Sequence, residues 1–107
     1  FGLDCVSAEA AVAGAAVVVL AVPDTHVGTV ARSLLPLLAP GTIVVILDAA
    51  APHAGHLPER ADITYFVTHP CHPPIFNDET DLAAKADHFG GIAAKQHIVN
   101  ALMQGPE

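Results

Sequence analysis

Positive charge is scarce in this chain. Four Lys and Arg stand against eleven Asp and Glu, giving a formal net charge of −7 over 107 residues. A nucleic-acid backbone or an anionic membrane surface needs a cationic partner, so no nucleic acid and no membrane is expected to bind. Small substrates remain open. Cysteine is sparse as well: Cys5 and Cys71 permit one disulfide at most and form no spaced framework of the secreted type, so two free thiols are expected. Long apolar runs are also missing. The longest, over residues 10–22, falls short of the about 20 residues that span a bilayer, and no basic amino-terminal region precedes it. Together these absences predict a cytoplasmic protein acting on a small molecule. Phe1-Gly2-Leu3 opens without an initiator Met and Gly105-Pro106-Glu107 carries no tail signal, from which we expect a piece of a longer protein. The length suits one domain with enough apolar content for a core.

What is present is organised around residues 15–25. A continuous apolar run rich in β-branched residues stops at Pro23-Asp24-Thr25, and helical spacing follows in Val27, Val30, Ala31, Leu34, Leu35 and Leu38. A strand with no polar face must be covered on both sides, so the run predicts an interior strand of a parallel sheet. Asp24 or Thr25 is expected to cap the helix over residues 25–38, with Pro36 tightening its last turn. Pro40-Gly41 reads as a turn. Residues 42–47 then form a second strand ending at Asp48, which completes a βαβ unit whose crossover should be right-handed. Residues 63–68 are a third strand. It runs into His69-Pro70-Cys71-His72-Pro73-Pro74, where proline disfavours helix and sheet interior alike. At the periphery, residues 3–6 suit an edge strand, and Ser7 caps a short helix stopped by Gly14. The stretch after Asp48, from Ala49 through the polar part with His53, His56 and Pro58, allows a short helix, residues 82–89 suggest another ended by Gly90-Gly91, and residues 98–103 suggest a last strand.

Ligands of open α/β sheets bind outside the carboxyl ends of the strands. Three such ends carry special residues here: Pro23-Asp24-Thr25, Asp48 and the segment from His69 to His72. If the strands are parallel, the three ends converge on one rim. Asp24 and Asp48 each also have a plain structural reading, as a helix cap and as the end of a strand opening a turn. His69, at a strand end, suits proton transfer near neutral pH. In extended, proline-fixed chain, His69 and His72 fall on one side at about 9 Å between α-carbons, so the two imidazoles could meet at one ion. Cys71 would add sulfur and Asp78 or Glu79 oxygen, although the spacing fits no established zinc pattern.

Three segments carry a resemblance: Val19-Leu20-Ala21-Val22-Pro23-Asp24, Pro40-Gly41-Thr42 with its strand, and Tyr65-Phe66-Val67-Thr68-His69-Pro70-Cys71-His72-Pro73-Pro74. They are similar to the nucleotide-binding domain of the 6-phosphogluconate and prephenate dehydrogenase-like group. Phe76-Asn77-Asp78-Glu79-Thr80 and Gly91-Ile92-Ala93-Ala94-Lys95-Gln96 extend the likeness over nearly the whole chain. The resemblance implies an α/β fold, the latter part of a Rossmann-type, doubly wound, mainly parallel sheet lacking its first βα units. Residues 1–107 would be a partial NAD-binding domain, with the second, carboxyl-terminal substrate domain absent. It implies an NAD-dependent oxidoreductase in carbohydrate metabolism, oxidising a branched sugar acid with coupled isomerisation to an oxo acid. The parent would be a homo-oligomer. The strand end at Ala21, Val22, Pro23 and Asp24, with Asp48, would lie against NAD, and His69 would be the catalytic histidine. A rearrangement of this type usually uses a divalent metal ion, which points again to His69 and His72.

The chain departs from the group in having no Gly-x-Gly-x-x-Gly and no acidic residue about 20 residues beyond it for the ribose. The piece alone is therefore expected to bind NAD poorly and to be inactive. A second reading of the same strand ends is a small flavodoxin-like α/β module that holds a metal or ligand without redox chemistry.

Overall fold

Ser7 starts the first helix, α1 (Ala8–Val12), by accepting a hydrogen bond from the Ala10 amide at 3.2 Å. Gly14, at a φ of +70°, turns the chain out of it. These residues belong to a computed structural model that describes residues 2, 4–71, 78–87, 93–94 and 97–106. The chain continues through β1 (Val17–Leu20), α2 (Asp24–Leu34), β2 (Ile43–Ile46), α3 (Ala50–His53), β3 (Thr64–Pro70), α4 (Leu82–Ala86) and β4 (Ile98–Gln104). The strands form one sheet in the order β1-β2-β3-β4. The first three are parallel, in a register that aligns Leu20 with Ile46 and Ile46 with Val67. β4 runs antiparallel to β3. The α/β class and mainly parallel sheet expected from the sequence are what the chain forms.

Burial follows the period of two that strands impose. Leu20, Val44, Ile46, Tyr65 and Val67 point to one face and pack with Val12 of α1, Val27 and Ala31 of α2, Leu35, Leu38 and Ala51 of α3. Val17 and Val19 point the other way and are 52% and 54% exposed. In this chain β1 stands at the end of the strand order, where an interior strand covered on both sides was expected, and among the described residues the helices packing in the core meet one of its faces.

Several boundaries differ from expectation for identifiable reasons. Residues 4–6 form no strand, and Val6 is exposed; Leu3 lies outside the described residues. The cap of α2 is Pro23, without a side-chain hydrogen bond, and Asp24 is already helical. The helix tightens at its end into a 3₁₀ turn over Leu35–Leu37 containing Pro36, where a residue without an N–H is tolerated. The short helix left open after Asp48 is formed as α3. α4 is capped by Asp81, which accepts from the Ala83 amide at 2.9 Å, and ends at Ala86; its expected stop at Gly90-Gly91 falls outside the described residues.

β3 carries the most informative difference. It extends through His69 and Pro70, which pair with Val99 and Ile98 of β4, although proline was expected to end the sheet before them. Pairing with β2 stops at Val67, so beyond that point β3 has a neighbour on one side only. The Cys71 amide donates to His97 at 2.8 Å. One residue earlier, the nitrogen of Pro70 points away from β4, where no donor is needed.

Candidate functional site at the carboxyl rim of the sheet

The parallel register brings the ends of β1, β2 and β3 to one edge. Ala21, Val22, Pro23 and Asp24 lead from β1 into α2, Leu47 and Asp48 lead from β2 into α3, and His69 lies two residues past the last β2–β3 pair. Sequence reasoning therefore placed Pro23, Asp48 and His69 on the correct side of the fold. Two of these groups meet. His69 Nδ1 lies 2.8 Å from the Leu47 carbonyl oxygen and 3.8 Å from Asp48 Oδ2. A carbonyl can only accept, so Nδ1 carries the hydrogen and the neutral ring keeps its lone pair on Nε2. His69 is 49% exposed, which leaves that nitrogen reachable from solvent. Asp48 uses its other oxygen to accept from the Ala50 amide at 2.7 Å, opening α3.

Beside this pair, Asp24, Thr25, Ala50, Ala51, Ala54 and His56 line a recess of about 370 Å³. His69 is not among its walls and stands elsewhere on the rim. His56 was not among the residues singled out from the sequence. The signal that could have found it is Gly28, a glycine inside an otherwise regular helix. A Cβ there would lie 3.1 Å from His56 Cβ and 3.2 Å from its carbonyl oxygen, so the missing side chain is what admits the segment after α3.

The donor set can be tested against the groups that the resemblance implied. For a nicotinamide dinucleotide the fit is partial. The alanine walls offer a flat apolar shelf for a ring, and Asp24 in the first turn of α2 suits a ribose hydroxyl better than a phosphate. The pyrophosphate side has no glycine turn in this sequence. For a metal ion the fit is poor. Among the described residues no three His, Cys, Asp or Glu side chains converge as ligands. His72 lies outside the described residues, and Cys71 Sγ is 3.6 Å from the His69 carbonyl oxygen, toward which its S–H points. His69 has only Nε2 to offer, and no step below runs through an ion. Cys5 and Cys71 are free thiols, as expected. No described helix is long and apolar enough to cross a membrane.

Comparison with known proteins bears on the fold and on what the chain is similar to. A family model described as phosphogluconate dehydrogenase (decarboxylating) C-term matches residues 77–107. D-apionate oxidoisomerase of Rhizobium rhizogenes is 70% identical over 105 residues, which is 98% of this chain and 38% of that protein. D-apionate oxidoisomerase of Cupriavidus necator is 66% identical over 106 residues, 99% of this chain and 38% of that protein. Among solved structures, a semialdehyde dehydrogenase NAD-binding protein from Cupriavidus necator in complex with calcium and NAD superposes with a TM-score of 0.85 at 66% identity. The match covers 99% of this chain and 38% of that one. The chain thus spans 38% of the length of these relatives. Over nearly all of its 107 residues it is similar to D-apionate oxidoisomerases, and over residues 77–107 to the carboxyl-terminal family of decarboxylating phosphogluconate dehydrogenases.

Proposed function

We propose that residues 1–107 are part of the NAD-binding Rossmann domain of an NAD-dependent oxidoreductase that oxidises a branched sugar acid of the D-apionate type and couples this to isomerisation to an oxo acid. The observation that carries the reading is the imidazole of His69, with Nδ1–H donated to the Leu47 carbonyl and Nε2 left as acceptor at the carboxyl rim. Oxidising an alcohol removes a hydride from carbon and a proton from oxygen. His69 Nε2 takes the proton, and the fixed Nδ1 side keeps the ring in the tautomer that can do so. NAD, when bound, supplies the hydride acceptor. Ala21, Val22, Pro23 and Asp24, with Asp48 at the next strand end, form the wall against which it would rest. The oxidised substrate carries a carbonyl, the proton on His69 passes to solvent to complete the oxidation, and the isomerisation moves no net proton or electron. Two free thiols accord with a reducing, cytoplasmic setting. The flavodoxin-like binding module has no observation in its favour.

The test is NADH formation by the full-length natural protein with a branched sugar acid. His69→Ala is expected to lower kcat by about 10²- to 10⁴-fold, the usual worth of a positioned general base, while NAD binding measured by calorimetry persists. Turnover at the parent rate in that variant removes His69 from the chemistry.

A further inference from the structure

Asp48 stands in the turn between β2 and α3, and its two carboxylate oxygens are committed differently. Oδ1 accepts from the Ala50 amide at 2.7 Å, a short local bond that fixes the side-chain rotamer against the start of α3. Oδ2 is thereby directed toward β3, where it lies 3.8 Å from His69 Nδ1. The same ring nitrogen donates to the Leu47 carbonyl at 2.8 Å. Two acceptors, one of them negatively charged, thus occupy the Nδ1 side of the imidazole, and no donor is needed there. At 28% exposure, Asp48 is screened less than a fully solvated carboxylate, but more than a buried one.

We propose that Asp48 is a positioning residue for His69: with the Nδ1–H tautomer fixed by the Leu47 carbonyl, its carboxylate, 3.8 Å from Nδ1, faces the positive charge that appears on the ring when Nε2 takes the substrate proton. This rests on the proton-transfer reading of His69 given above. It assigns the Asp48 carboxylate to the histidine and leaves only the backbone of that turn to contribute to a cofactor wall. The local bond to Ala50 matters to the argument because it orients the carboxylate without help from His69. The geometry therefore precedes the reaction instead of being recruited by it. An Asp-to-Asn change is the sharpest probe. The amide oxygen of Asn can still accept from Ala50, so α3 keeps its opening turn. The Asn amide is uncharged, so the ring loses the facing negative charge while the Leu47 carbonyl still fixes the Nδ1–H tautomer.

The experiment compares wild type, Asp48→Asn, His69→Gln and the double variant in the full-length protein. Steady-state kinetics are combined with ¹⁵N spectra of the imidazoles, with His69 assigned from its absence in His69→Gln. A buried triad loses about 10⁴-fold when its Asp is changed to Asn; for this half-exposed pair the expected loss in kcat is about 10- to 100-fold, with KM within about twofold. The His69 signals should keep the Nδ1–H form held by Leu47, and Asp48→Asn should cost nothing further in the His69→Gln background. The proposal is overturned if kcat stays within about twofold of wild type, if KM rises in place of a fall in kcat, if the spectra show a switch to the Nε2–H form, or if Asp48→Asn costs as much in the His69→Gln background as in wild type. If His69→Gln itself retains full turnover, the proton-transfer reading fails separately, and the proposed role of Asp48 in catalysis falls with it.

Discussion

The approach of His56 to Gly28 can be tested by adding side chain one carbon at a time. Two effects oppose each other in Gly28→Ala. Replacing a glycine inside a helix stabilises by about 0.5–1 kcal/mol, because the unfolded chain has less freedom to lose. Against this, the new Cβ would lie 3.1 Å from His56 Cβ, whereas carbon atoms rest comfortably at about 3.5–4.0 Å. The His56 segment must therefore retreat by about half an ångström. It is exposed and held by backbone bonds from Gly55 to Pro52 at 3.1 Å and from His56 to Ala51 at 3.0 Å, so a small retreat is cheap. The expected net change for Ala is within about 0.5 kcal/mol of zero. Gly28→Val asks two more methyl groups to enter the same gap. Overpacking of this kind costs about 1–3 kcal/mol, and the expected net loss after the propensity gain is about 1–2 kcal/mol. For a domain of this size that lowers Tm by roughly 4–16 °C. Thermal unfolding followed by circular dichroism measures the loss, and the His56 imidazole resonance reports the displacement. A Val variant that melts with the wild type and leaves that resonance in place would refute the close packing of α2 against the segment after α3.

Two further outcomes follow from the core. Ile46 is fully buried between Leu20 and Val67, so Ile46→Ala should cost about 2–5 kcal/mol from lost burial and the cavity left behind; a urea-unfolding loss under about 1 kcal/mol contradicts the packed face. The Tyr65 hydroxyl donates to the Pro58 carbonyl at 2.6 Å, and burial pushes its ionisation above the ordinary phenol range. A value raised by folding contributes stability that is complete below about pH 10, the unfolded phenol value, and is lost as pH climbs through the folded one. Tyr65→Phe should therefore flatten the alkaline limb of a stability–pH curve and cost about 0.5–1.5 kcal/mol near neutrality; an unchanged alkaline limb argues against that contribution.

The three parallel strands were legible because each is a short β-branched run ended by turn chemistry, and their common direction placed Asp48 and His69 on one rim. The meeting of those two residues was not legible. It depends on the Leu20–Ile46–Val67 register, and no single strand encodes its offset from a neighbour. Val17 and Val19 have the composition of a buried pair, and composition does not say which elements of a chain supply the cover. Pro70 entered β3 because the rule against proline concerns the side on which a donor is needed, and that side is a property of pairing. His56 escaped notice because its importance resides in what Gly28 lacks.

β4 gives the rim a mechanical property. His69 is opposite Val99, and the next residue but one is tied by its amide to His97, while the imidazole reaches across to the turn after β2. The far end of β4 is fastened by Gln104, whose side-chain amide donates to the Ile63 carbonyl at 2.9 Å. β4 is thus a splint fastened at both ends, at Cys71 beside the imidazole and at Ile63. Loosening Gln104 would free it at the end remote from the rim.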